Sequence, residues 1–241
     1  SLLRAGQYEQ ANIMLTRATV LGAKNPFYQY IIAESFLFRG ELEQAWQAIA
    51  LASSDDKTVQ GFFLDIQLLV ARAQANTNRI DYVLDNYKLT DAQSLGPVFS
   101  KGLVYLESGE RAMLNTLIEE FQRSLRTAEQ ERPNTEATLF GFIQLYGLLK
   151  DRTKLAEAVN DYYAVVKPDA LRIVDNRTIP IAYALAGDSE ALLNYLDDLV
   201  AQFGPWEFYY FAIDPIFDNM RDLPRFQALD IQYRQWLEQL P

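Results

Sequence analysis

The chain has 241 residues, 49% of them apolar, a formal charge of −10, and neither histidine nor cysteine. Imidazole acid–base chemistry, Ser-His-Asp triads, histidine metal sites, disulfides, thiolate nucleophiles and zinc–thiolate centres are therefore closed to it, and no cofactor is expected. The acidic balance argues against direct nucleic-acid contact, which needs clustered Lys and Arg, and no apolar run approaches the roughly 20 residues of a membrane span.

In chain order, Ser1-Leu2-Leu3-Arg4-Ala5 reads as the last turn of a helix whose beginning is missing, so a fragment of a larger protein is expected, and no secretory signal opens it. Gly6-Gln7-Tyr8-Glu9-Gln10-Ala11 follows. Its glycine, large residue and alanine recur 34 residues later in Gly40-Glu41-Leu42-Glu43-Gln44-Ala45, a period that marks stacked helical hairpins. The glycine ends a helix in a left-handed conformation that a Cβ resists, and the alanine lets two helices cross closely. Leu15 and Ala18 in the first copy keep register with Ile49 and Ala52 in the second.

The pattern predicts helices over Tyr8 to Leu21, Pro26 to Arg39 and Glu41 to Ser53, then a break at Ser53-Ser54-Asp55-Asp56. Thr58 to Ala75 is a strongly apolar helix, turning at Asn76-Thr77-Asn78 into Arg79 to Tyr87. Leu95 to Glu107 turns at Ser108-Gly109 into Arg111 to Glu129. Thr135 to Lys150 turns at Asp151-Arg152 into Lys154 to Val166, and Leu171 to Ala186 turns at Gly187-Asp188 into Ser189 to Phe203. These make about six helical pairs.

Gly204-Pro205 starts an aromatic helix, Trp206-Glu207-Phe208-Tyr209-Tyr210-Phe211. Asp214-Pro215 and Leu223-Pro224 each place a proline in a first helical turn, and Asp214 is a capping residue. Phe217, Met220, Phe226 and Leu229 are then available to cover the apolar end of the stack, as a terminal repeat requires. The aromatic run itself leaves two readings open, a terminal core or an exposed patch for a partner or a second copy of the chain. Asp214, Arg221, Asp222 and Arg225 read as capping and salt-bridging groups.

Gly6, Tyr8, Ala11, Leu15 and Ala18 follow the order of the tetratricopeptide (TPR) repeat, and the chain resembles that family, with Leu42 and Gln29 departing from its aromatic positions. The resemblance implies an all-α fold, a TPR-like right-handed superhelix or solenoid. Residues 1–203 would form the repeat array, with a truncated first repeat, and residues 204–241 a capping segment in the same domain. It also implies a concave groove lined by Phe27, Tyr30, Glu34 and Phe38, with Phe36 in the core between repeats. The family's best-known peptide site holds a terminal carboxylate with Lys and Asn. The matching positions are Tyr30 and Glu34, which disfavours that clamp. The capping segment, with Asp214, Phe217, Arg221, Arg225 and Phe226, resembles the end of TPR arrays in bacterial signalling proteins, among them winged-helix regulators of the CadC and ToxR type.

Neither a GxxxxGK[ST] loop nor a GxGxxG fingerprint is present. The carboxylate pairs Asp55-Asp56, Glu119-Glu120 and Asp197-Asp198 fall on turns or helix surfaces, where a dyad lacks the closed pocket that separates its pKa values. The expectation is a non-enzymatic module for a protein or peptide partner, homo-oligomerisation being open. The alternative is a sensory domain of a membrane-anchored winged-helix regulator, which would place it in the periplasm; otherwise the compartment is open.

Overall fold

The computed structural model describes residues 10, 13, 14, 17, 26–50, 57–86, 95–133, 135–166 and 175–239. Among them every regular element is helical and none is a strand. The helices are α1 (Pro26–Phe38), α2 (Leu42–Ala50), α3 (Lys57–Ala73), α4 (Thr77–Asn86), α5 (Leu95–Ser108), α6 (Arg111–Glu131), α7 (Glu136–Leu149), α8 (Arg152–Val165), α9 (Asp175–Ala186) and α10 (Ser189–Phe203). A 3-10 turn at Pro205–Phe208 leads into α11 (Tyr209–Ile213), and another at Pro215–Met220 leads to α12 (Pro224–Glu238). Ala11 and the first repeat's other marker residues lie outside the described residues.

Five helices end alike. Gly40, Ala75, Gly109, Lys150 and Gly187 all have positive φ, at intervals of 35, 34, 41 and 37 residues. The amide after each reaches back to close the helix, from Glu41 to the Phe36 carbonyl, Asn76 to Ala71, Glu110 to Tyr105, Asp151 to Tyr146 and Asp188 to Tyr183. This is the Schellman arrangement, which satisfies carbonyls that a helix C-terminus would otherwise leave orphaned. The next helix starts at once. Asn76, Asp151 and Asp188 turn their side chains onto the backbone amides of Arg79, Lys154 and Ala191, at 3.1, 3.1 and 3.2 Å.

The chain divides into two compact units, residues 1–86 with 198–241, and residues 87–197. In the first, α1 packs closely on α2, and α3 on both, with α4 against α3. Ala33, Leu37, Ala45 and Ile49 are fully buried there. Ala45 takes no room at the crossing, while each buried leucine or isoleucine contributes about 1.5–3 kcal/mol. Residues 198–239 join this unit, and so sit with helices far upstream in the chain.

In the second unit, Leu139 and Ile143 of α7, Leu155, Val159 and Tyr162 of α8, and Ile179 and Ala182 of α9 form one core. Phe121 and Leu125 of α6 form another with Leu145. The helices come very close at Gly147, where an added Cβ would lie 2.8 Å from the Ala182 Cβ and 2.9 Å from its Cα.

Candidate functional site

Tyr30, Glu34 and Phe38 are spaced four residues apart on α1, which puts them on one side of the helix. The structure brings all three together, and brings the chain's own C-terminal segment onto them. The Tyr209 hydroxyl donates to Glu34 Oε1 at 2.9 Å, and the Tyr30 hydroxyl donates to the same oxygen at 3.1 Å. The rings of Trp206 and Tyr209 meet the Phe38 ring edge-on, with centroids 5.8 and 4.2 Å away. The backbone carbonyl of Phe38, at the end of α1, accepts the Tyr233 hydroxyl at 2.6 Å.

Tyr30 and Phe38 are 3% and 1% exposed and Glu34 is half-buried, because the residues from Trp206 onward cover them. The Phe27 side chain lies outside the described residues.

Asp214 anchors the covering segment. Its carboxylate is fully buried and pairs with Arg72 of α3, Nη2 to Oδ1 at 2.8 Å and Nη1 to Oδ2 at 3.4 Å. Oδ1 also accepts the Ile216 amide at 3.0 Å, capping the 3-10 turn that Pro215 opens. One residue thus starts a turn and neutralises a buried cation. Arg221 stitches the segment to itself, with Nε on Asp218 at 2.8 Å and guanidinium nitrogens on the carbonyls of Ala212 and Asp214. Phe217 and Phe226 are buried, packed edge-on against Phe211 and Phe208 with centroids 5.3 and 5.0 Å apart. Arg225 is half-buried.

Burial pushes the Tyr233 phenol well above the usual tyrosine range, with the charge of Asp230 adding to it. The phenol is therefore a donor at every physiological pH.

A second polar cluster joins α2 and α4. Arg79 bonds both Glu43 oxygens at 2.9 Å and lies 4.5 Å over the Trp46 ring, whose other neighbour is Tyr82 at 6.1 Å. The hydrogen bond from Arg79 holds the Glu43 carboxyl below its ordinary pKa.

Sequence reasoning missed Tyr209 and Tyr233 as partners of the α1 face, and Arg72 as the partner of Asp214. Arg72 was signalled only by its place directly after the short apolar run from Leu68 to Ala71. Nothing in the sequence indicated which carboxylate would reach it. Among the described residues no three acidic side chains come together to hold a metal ion.

This arrangement holds a length of the chain itself. Its polar groups are matched donor to acceptor, and its rings meet edge to face. Compared with known proteins, the chain matches no family model, no curated protein and no solved structure.

Proposed function

We propose that this chain is a non-enzymatic, TPR-like binding module of about six helical pairs that holds a protein or peptide segment against the inner helices of its hairpins. One observation carries the reading. The residues picked out as groove positions, Tyr30, Glu34 and Phe38, are those on which a separate stretch of polypeptide is seated through side-chain hydrogen bonds and aromatic edges. Preformed helices lose little conformational entropy when a segment docks, so a few anchors of this type suffice for recognition. The recurrence of the left-handed helix ends every 34 to 41 residues is consistent with the same reading.

Selection of peptides from a random displayed library on the intact chain tests this. Enriched peptides should share aromatic and acidic residues, and Arg72→Ala or Glu34→Ala should weaken the affinity of purified peptides at least tenfold. A library that yields no peptide above background, on the wild type or on a chain whose own segment is loosened by Tyr209→Phe, removes the proposal.

A further inference from the structure

We infer that the exposed face where α2 meets α4 is a docking surface for a basic segment of another protein, with an arginine or lysine of that segment laid against the Tyr82 ring. The surface is separate from the seat on α1, and the inference does not depend on the peptide-binding role proposed for that seat.

Tyr82 is the one exposed aromatic side chain among the described residues, at 49%. The ring is also held in place. It meets Trp46 edge-on at 6.1 Å, and Trp46 in turn carries the Arg79 guanidinium 4.5 Å over its own ring. Arg79 is pinned by both Glu43 oxygens at 2.9 Å and by Gln74 Oε1. Trp, Tyr and Arg are the side chains that dominate the energetics of protein interfaces, and a set already locked by internal contacts loses little freedom when a partner covers it.

The charges around the ring decide the sign of the partner. Arg79 has its donors engaged by Glu43 and Gln74, so an incoming carboxylate would have to displace Glu43 to reach it. The Glu43 side chain itself is 51% exposed, and Asp81, adjacent to Tyr82 and exposed, forms no ion pair among the described residues. Two accessible carboxylates thus border the aromatic pair, while the guanidinium beside them is already matched. A ring face attracts a cation through its quadrupole, and the formal charge of −10 on the whole chain favours the same sign.

Fluorescence anisotropy of a labelled oligoarginine peptide on the intact chain at low ionic strength tests this, with an oligoglutamate peptide of equal length as its opposite. General attraction to an acidic protein is separated from docking by uncharged and remote substitutions. Tyr82→Ala alters no charge and should weaken oligoarginine binding about fivefold, whereas Tyr82→Phe keeps the ring and should stay within about twofold of wild type. Asp81→Asn should weaken binding about threefold. Glu119→Gln combined with Glu120→Gln, which removes two exposed charges from α6, should have the smaller effect. Should Tyr82→Ala lower the melting temperature, the comparison of Asp81→Asn with the α6 double variant carries the decision on its own. Absence of oligoarginine binding, tighter binding of oligoglutamate, or a loss for the α6 double variant that matches the loss for Asp81→Asn overturns the inference, as does a well-folded Tyr82→Ala chain that binds like wild type.

Discussion

Arg72 and Asp214 lie 142 residues apart in the chain and meet at 2.8 Å with both side chains shut off from solvent. A buried pair of this type adds little net stability over a well-packed apolar pair, yet removing one partner strands the other charge. Asp214→Ala should therefore cost about 3–5 kcal/mol in urea unfolding. Arg72→Met combined with Asp214→Asn keeps the cap on Ile216 and removes both charges, so its loss should be much smaller. A loss under about 1 kcal/mol for Asp214→Ala would show the pair to be dispensable.

Tyr233 should govern part of the alkaline limit. Its folded pKa is raised, so the native state keeps a proton that the unfolded chain releases near pH 10. Stability from this group is complete below about pH 10 and falls as pH rises toward the folded value. Tyr233→Phe should cost about 1 kcal/mol at neutral pH through the lost bond to the Phe38 carbonyl, and should flatten the decline above pH 10. Tyr183, raised by burial and then by Asp188, shifts in the same direction, so the slope should shrink without vanishing. Denaturant titrations at neutral pH and at about pH 11 read both effects.

At Gly147 two magnitudes compete. Glycine to alanine inside a helix ordinarily gains about 0.5–1 kcal/mol. Here the new Cβ would meet the Ala182 backbone at 2.9 Å, and overpacking of a rigid neighbour costs about 1–3 kcal/mol. Gly147→Ala should destabilise, and adding Ala182→Gly should recover little of the loss, because the Ala182 backbone contact remains after its Cβ is removed. Thermal melting of the two variants decides it, with a stabilised single variant as the contrary result.

Ala75 and Lys150 hold φ values of 49° and 56°, where a side chain costs about 1–2 kcal/mol. Ala75→Gly should stabilise by a few tenths to about 1 kcal/mol after the greater freedom of glycine in the unfolded chain is deducted. Gly40→Ala should do the opposite by about 1–2 kcal/mol, purely through the backbone, since no atom lies within 4 Å of its would-be Cβ. Unequal signs at the two sites, measured as melting temperatures, are the expected outcome.

The helices were legible because their signals are local. Apolar spacing placed α5 through α8 and α10 within a few residues of their observed bounds, and the prolines at 215 and 224 begin the two elements they were expected to begin. Gly40, Gly109 and Gly187 marked left-handed helix ends on their own. Ala75 and Lys150 occupy the same role without announcing it, because neither residue type favours a left-handed conformation. The regular spacing of all five ends emerged only once those two were seen.

The sequence by itself determined the helices of the described residues, the places where their hairpins turn, and a set of side chains without histidine or cysteine. Each follows from interactions within a few residues, or from composition alone. Only the tertiary structure decided that the aromatic segment after Gly204 returns to α1 and α3, that Tyr30 and Phe38 are covered, and that Asp214 is the counter-charge for Arg72. No local rule chooses among 32 Asp and Glu side chains for one arginine. The choice falls to whichever carboxylate the packing of distant helices carries into a site without water.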